Sequence, residues 1–403
     1  MTLTDKIMDL STIWKQAALV FPHFDRYEEN WDNTYREFLN RDIRTRTDRE
    51  HFLLLAEFIN RLGDGHTDVG FSKEMLDSAG YLPFAFAYSN GSYYVNGARV
   101  LGVDERPVAQ ILDQAAKYVY RVGDYVPRLG YILPFLLDGK HHTLETEEET
   151  VPFELLPNRP EQPERKGVQT RMVGDALHVV LDDFLHAGAA DTIRKALEEN
   201  KPAGVILDIR ENIGGMTKFA ADIAQLFISG TFGGCQKWTR TMKGVEYAAS
   251  SQVLRMTREE LEQLSSGNSG EEVDRSLRIA KLCQFHAYED EWGESERKAV
   301  FDGPLVLLTS RRTVSAAEDF TAFFKSCHRA AIIGEPTCGT SGTPLLISLS
   351  SGWARVCSVG YRLKDGTPWL GVGIQPDIPA ACTPQDMKQG KDPVMERAME
   401  ELK

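Results

Sequence analysis

A serine placed where a buried strand runs into a helix can serve as a nucleophile. One stretch of this chain has that design, Leu305 to Gly342, LVLLTSRRTVSAAEDFTAFFKSCHRAAIIGEPTCGTSG. Leu305 to Leu308 is a short continuous apolar run, the pattern of a strand covered on both faces. A polar turn, Ser310 to Thr313, follows. Ala317, Phe320, Phe323 and Phe324 then recur at helical spacing, and Ala330 to Ile333 reads as the next buried strand, closed by Gly334. In a strand, helix, strand unit the helix N-terminus lies at the carboxyl edge of the sheet, where α/β proteins place their chemistry. Ser315 sits at that edge. The first amides of its helix point outward with the positive end of the dipole behind them, so the position offers oxyanion donors as well as a hydroxyl. Ser315-Ala-Ala-Glu318 equally fits a capping box, in which the serine only satisfies helix amides. A catalytic role requires a base for the hydroxyl proton and further donors for the oxyanion.

Two other segments supply candidates. GDGHTDVGF, Gly63 to Phe71, ends a helical stretch at a glycine, carries His66 in a tight loop, and opens a strand through Val69 and Phe71. A lone loop histidine is ordinarily a surface residue, and nothing local changes that. The turn Arg210 to Gly215, RENIGG, ends the buried run Gly204 to Ile209. Paired glycines at a strand end let the backbone approach a ligand closely and present unhindered amides.

The elements that must position these residues alternate in a regular way. Ile7, Leu10, Ile13, Trp14 and Ala17 form one helical stripe, Trp31, Tyr35, Phe38 and Leu39 a second, and Asp48 to Leu62 a third helix. From Tyr81 to Leu156 the character changes to short strands, Tyr93 to Val95 and Arg99 to Leu101, with a helix from Val108 to Tyr120 and a strand-rich tail from Thr143. PNRPEQPERKG, Pro157 to Gly167, has the composition of a linker. Beyond it come a strand at Leu177 to Leu181, a helix at Ala189 to Glu199, the strand at Gly204 and a helix at Phe219 to Ile228. Residues 239–298 form a charged insertion, with TREELEQL and EEVDRSLRIAKL helical and SSGNSGE between them, read as a surface excursion or a cover over the cleft. Leu345 to Tyr361 is strand-rich, and a helix starts at Pro393. The expected division is 1–78 for a helical cap, 79–163 for a spacer module and 164–403 for an α/β core.

Composition narrows the function classes. With 403 residues the chain exceeds one compact core, and 42% hydrophobic with 26% charged residues is ordinary for a globular protein. A net charge of −13 argues against nucleic acid or an anionic membrane as the main partner. No apolar run approaches bilayer length, and the first residues carry acids where a signal peptide carries bases, so a cytoplasmic setting is expected. The six cysteines lack metal-ligand or redox spacing, so neither a metal nor a cofactor is expected.

DGHT at 64–67, ILDIRENIGG at 206–215, TVSAAE at 313–318, IIGEPTCGTSG at 332–342 and GIQPDI at 373–378 stand in an order and spacing that resemble the tail-specific and tricorn-type serine peptidases, a family that includes the interphotoreceptor retinoid-binding proteins. The resemblance implies a ClpP/crotonase-like α/β core after an N-terminal helical cap and a PDZ or PDZ-like module. GARVLGVDERPVAQIL resembles a PDZ signature, with Glu105-Arg106 where a glycine is usual. It further implies Ser315 as nucleophile, His66 as the base of the tricorn-type branch, and the amides of Gly214, Gly215 and Ala316 as the oxyanion hole, acting on peptides or unfolded chains, in a homo-oligomer if relatives are a guide. Asp208 and Arg210 match the motif's buried framework. The tail-specific branch takes its base from the lysine of T-F-G-K-G, where this chain has Thr337-Cys338-Gly339-Thr340-Ser341, which leaves His66. The tricorn-type branch has a serine before the histidine, here Gly65, and a glutamate at the position of Leu370. Asp365, five residues before Leu370, is the first choice for a carboxylate that orients His66, with Glu335 and Asp64 behind it. A non-catalytic relative binding peptides or hydrophobic ligands in the same cleft is the alternative. A crotonase-like acyl-CoA enzyme would explain the glycine turn but not Ser315 with His66.

Overall fold

Three helices open the chain: α1 (Leu3–Val20), α2 (Trp31–Asp42) and α3 (Asp48–Asn60). The computed structural model describes residues 1–161, 164–240, 287–289, 291–350 and 352–403. Thr2 with Asp5 and Thr47 with Glu50 form capping boxes that start α1 and α3. The predicted stripe of α1 is buried at Leu10, Ile13 and Ala17, and Trp31 of α2 stacks on Phe58 of α3 at 4.5 Å between ring centroids. Gly63, at φ +63°, turns the chain out of this cap. Strand β1 (Asp68–Phe71) and helix α4 (Lys73–Ala79) follow.

The next segment is an antiparallel sheet in the order β2 (Ala87–Ser89), β3 (Ser92–Val95), β4 (Ala98–Val103), β6 (His141–Thr146), β7 (Thr150–Glu154), with the short β5 (Arg106–Pro107) beside β4. Between β4 and β5 the chain reverses through Asp104 and Glu105 at φ +52° and +61°, so Glu105 holds a conformation that glycine takes more readily. Its amide is secured by Glu145 Oε1 at 3.0 Å. Helix α5 (Val108–Ala115) is shorter than the pattern predicts, because the chain continues from Ala115 in tight turns that carry Tyr120 to the backbone of Gly339. The short α6 (Leu129–Ile132) leads on toward β6, and a bridge between Tyr81 and Leu156 closes the base.

The second half is a six-stranded sheet in the order β18-β14-β13-β10-β9-β8, with β8 (Val168–Val173), β9 (Ala176–Leu181), β10 (Gly204–Asp208), β13 (Leu305–Thr309), β14 (Ala331–Gly334) and β18 (Ile378–Pro379). All neighbours are parallel except β8 with β9. Every residue of β10 and β13 is buried, as their unbroken apolar runs require. Helices α7 (Ala189–Asn200), α8 (Thr217–Ala224) and α9 (Ala316–Cys327) cover one face. Phe320, Phe323 and Phe324 are wholly buried there, each contributing about 1.5–3 kcal/mol relative to exposure. After the five-residue α10 (Pro384–Lys388), the terminal α11 (Pro393–Glu401) places Val394 and Ala398 on the other face. Strands β11 (Cys235–Thr239), β12 (Ala287–Glu289) and β17 (Val359–Leu363) make a small sheet. Of the expected insertion, residues 241–286, including both predicted helices, lie outside the described residues.

The pairing that matters for the site joins the two ends of the chain. Strand β1 pairs antiparallel with β16 (Gly352–Cys357), Asp68 opposite Arg355, and β16 pairs with β15 (Pro344–Leu349). One apolar core runs from Leu10 of the cap through Tyr93 and Leu144 of the middle sheet to Cys338 and Val356. The loop before β1 is therefore fixed against the loop before β15.

Candidate active site

Ser315 ends the turn between β13 and α9 and has φ 60°, ψ −124°. A non-glycine residue there stores strain of order 1–3 kcal/mol, tolerated only when its surroundings hold it. Thr313 Oγ1 donates to Ile209 O at 2.9 Å, Val314 N to Asn212 O at 3.0 Å, and Ser315 N to Thr340 O at 3.1 Å. The Ser315 turn is thus bound to the end of β10 on one side and to the 337–342 loop on the other. The capping-box residues are in place, with Ser315 N donating to Glu318 Oε2 at 3.3 Å. The Glu318 amide donates to the Ser315 carbonyl at 2.7 Å, and the hydroxyl faces a histidine.

That histidine is His66, whose Nε2 lies 3.0 Å from Ser315 Oγ. Residues 249 positions apart in sequence meet because β1 lies on β16. The His66 loop is braced through its backbone: Asp64 Oδ1 accepts from His66 N at 2.9 Å and Thr67 Oγ1 at 2.8 Å, and Thr67 Oγ1 accepts from Cys357 N at 2.9 Å. Asp68 pairs with Arg355 at 2.8 Å and with Arg128. His66 is only 6% exposed, and burial, helped by the Arg355 charge, pushes its pKa down to about 3. The ring is a neutral base at neutral pH.

The two glycines of the 214–215 turn differ in what their amides do. The Gly214 amide is occupied by Asn212 Oδ1 at 2.8 Å, so it is not the open donor the sequence suggests. Its lack of a side chain is what counts: a Cβ there would lie 2.7 Å from Ser315 Cβ and 3.0 Å from Ala316 N. Gly215 bridges Phe184 through the hydrogen bonds of its neighbours, Phe184 N to Gly214 O and Met216 N to Phe184 O. Its own amide, like that of Ala316 at the start of α9, donates to nothing among the described residues. These are the two amides free for an oxyanion.

Among the described residues, no carboxylate reaches the His66 ring. Asp365 lies in an exposed turn, where its Oδ1 accepts from Thr367 N at 2.9 Å, the bond that holds its carboxyl below the usual range. The expectation that it orients His66 is corrected: the turn closes on itself, with Leu363 N on Thr367 O at 2.9 Å, and carries Asp365 away from the site. Glu335 instead accepts from Asn90 N at 3.4 Å. Asp64 holds backbone rather than ring, and burial raises its carboxyl to about 6. Leu370 packs in an apolar cluster with Trp369 and Ile374. What meets His66 Nδ1 is Thr340 Oγ1, at 2.7 Å.

Glu318 is the second residue whose place sequence reasoning missed. Fully buried, it accepts from Thr337 Oγ1 and Gly339 N, both at 2.6 Å, from Thr340 N at 2.9 Å and from Ser315 N. Burial raises it to about 8 in spite of these donors. One carboxyl group therefore fixes the backbone of Ser315 and of the residue touching the histidine. Its signal was present in the SAAE motif and was spent on helix capping. Asp208 and Arg210 pair at 2.7 Å, and Arg210 reaches Asp392 at the start of α11, a framework role. No metal-holding group of His, Cys, Asp or Glu occurs among the described residues.

The model of Peptidase family S41 matches residues 175–380, half of the chain, from the start of β9 to the end of β18. Solved structures share the fold across nearly the whole length. Mature CPAF has 14% identity and a TM-score of 0.69, covering 99% of this chain and 96% of its own. A candidate peptidase from Parabacteroides merdae has 17% identity and a TM-score of 0.56, covering 100% and 97%. The photosystem II D1 C-terminal processing protease has 16% identity and a TM-score of 0.52, covering 94% of each chain.

Proposed function

This chain belongs to peptidase family S41 and is a serine peptidase, and on that premise we propose that Ser315 is its nucleophile, His66 its general base, and the amides of Gly215 and Ala316 its oxyanion hole. The observation that carries the assignment is the 3.0 Å contact between Ser315 Oγ and His66 Nε2, with Ser315 at a strained turn before α9. As Ser315 Oγ attacks the scissile carbonyl, its proton passes to Nε2, and the new C–O bond leaves the carbonyl oxygen negative between the two open amides. The protonated ring then donates to the departing amine, and water repeats the sequence to release the acyl group. A neutral ring, kept so by burial, begins each half-reaction in the right state.

We read the chain as nearer the tricorn-type branch, a reading supported by the histidine base and by Thr340 at the motif position of the other branch's lysine. The substrates are peptides or unfolded chains. Leu185, Ile213 and Met216 flank the Gly214-Gly215 turn and are 58, 47 and 55% exposed, an apolar rim beside the nucleophile suited to the side chains of an extended peptide. We read the segment 79–163 as the PDZ-like module, on the succession of β4, turn, β5 and α5.

A fluorophosphonate probe tests the assignment, because it needs an activated serine. It should label Ser315 in the parent and not in Ser315→Ala, which should also lose peptide hydrolysis while its melting temperature stays within a few degrees, a lost cap being worth only ~1 kcal/mol. A labelled Ser315→Ala, or undiminished hydrolysis by it, would return Ser315 to helix capping.

A further inference from the structure

We infer that Thr340 is the positioning residue of His66, a hydroxyl from another part of the chain that does the work of a missing neighbour. The inference rests on the proposed Ser315 and His66 site. For Nε2 to receive the serine proton, the ring hydrogen must sit on Nδ1, and the atom there to accept it is Thr340 Oγ1 at 2.7 Å. The space is assigned as well as the bond. A Cβ on Gly65, the residue before the histidine, would lie 2.5 Å from Thr340 Oγ1 and 2.7 Å from Thr340 Cβ. The threonine side chain thus fills the volume that a side chain at position 65 would need, and Gly65 is what allows it in.

Thr340 is itself held as a positioning residue must be. Its amide donates to Glu318 Oε2 at 2.9 Å and its carbonyl accepts from Ser315 N at 3.1 Å, so the ring's partner and the nucleophile share one backbone clamp. The neighbouring Gly339 carbonyl accepts from Tyr120 Oη at 3.3 Å, and the Thr340 side chain is 4% exposed. When the ring takes the proton, its Nδ1–H bond to Thr340 becomes charge-assisted and gains strength in the transition state.

The test compares Thr340→Val, which replaces the hydroxyl by a methyl of similar size, with Thr340→Ser, which keeps it. Thr340→Val should lower kcat for a peptide substrate about 10- to 100-fold, the worth of one hydrogen bond to a charged group, with KM within about twofold. Thr340→Ser should stay within about threefold of the parent. A Val variant as active as the parent, or a Ser variant as impaired as Val, overturns the inference. A second measurement needs no substitution and so stands even if Thr340→Val does not fold: ring 1H–15N correlations of the parent at neutral pH. They should show His66 with its hydrogen on Nδ1, and a hydrogen on Nε2 overturns the inference. Fluorophosphonate labelling of the parent separates the two readings. An unlabelled Ser315 defeats the site assignment, whereas a labelled Ser315 beside an Nε2–H histidine defeats only the role of Thr340.

Discussion

The acid limb of the pH profile should be missing where a serine and histidine pair would ordinarily show it. An unperturbed imidazole near ~6.5 would be only about 3% neutral at pH 5, and activity would fall with it. His66 is buried, touches no carboxylate among the described residues and feels Arg355, which together hold it at about 3, so nearly all of it remains neutral at pH 5. The second-order rate of fluorophosphonate labelling and kcat/KM for a peptide should therefore vary by no more than about twofold between pH 7.5 and pH 5. The same burial has a stability consequence of defined sign. The folded value lies below the unfolded one, so the contribution is whole above pH ~6.5 and is lost as pH falls toward the folded value, by about 1.4 kcal/mol per unit or roughly 2 kcal/mol at pH 5. Asp64 runs the other way. Its carboxyl is raised to about 6, so its contribution is present at low pH and is lost as pH rises through that value. Denaturation curves at each pH must accompany the rates, to separate unfolding from titration of the base. A labelling rate that drops tenfold per unit from pH 6.5 downward, in protein still folded, would refute the reasoning and mean that a negative group reaches the ring in solution.

Glu318→Gln should be among the costlier single changes in the site. Above about pH 8, where the carboxyl is ionised and accepts from all four donors, the amide nitrogen of glutamine must instead face two of them, leaving two buried N–H or O–H groups unpaired at ~1–3 kcal/mol each. Urea denaturation should show a loss of about 2–6 kcal/mol together with reduced turnover, and a change below 1 kcal/mol would mean that the network is not as drawn. Asp365→Asn, by contrast, should leave kcat/KM unaltered and stability within about 0.5 kcal/mol, as expected of an exposed turn residue.

What the sequence made legible is what local pattern encodes. Ser315 stands out because the buried run Leu305–Leu308 and the stripe of phenylalanines beyond it announce a strand and a helix joined by a short polar turn that ends at the serine. The glycine turn announces itself in the same way, although which amide stays open depends on the side chain of Asn212 and not on the glycines. His66 could be tied to Ser315 only through the resemblance of ordered motifs, since nothing in its loop shows that β1 will lie against β16. Its partner was beyond reach for the same reason: Thr340 meets His66 across 274 positions, through the register of β15, β16 and β1. Choosing Asp365 treated nearness in sequence to Leu370 as nearness in space, and the Leu363 to Thr367 turn overrules that. Helix α5 stops short of Tyr120 because a tertiary contact claims that side chain, which no propensity records.

The substitution of a hydroxyl for a carboxylate beside His66 follows from the electrostatics of its surroundings. The site already buries Asp64 and Glu318, and desolvation holds both well above the usual carboxylate range, at about 6 and about 8. Among the described residues neither has a cation within salt-bridge distance; Arg355, near the His66 loop, is engaged with Asp68. A third carboxylate in the same volume would meet the same low dielectric that raises these two, and would take up a proton before it could orient an imidazole as an anion. Thr340 accepts the Nδ1 hydrogen without adding charge, and Leu370 packs with Trp369 and Ile374 in an apolar cluster. The exchange has a catalytic cost. A neutral hydroxyl stabilises the imidazolium less than a carboxylate does, so in the proposed mechanism more of the transition-state stabilisation falls to the amides of Gly215 and Ala316, beside the strained backbone of Ser315 and the side-chain-free Gly214.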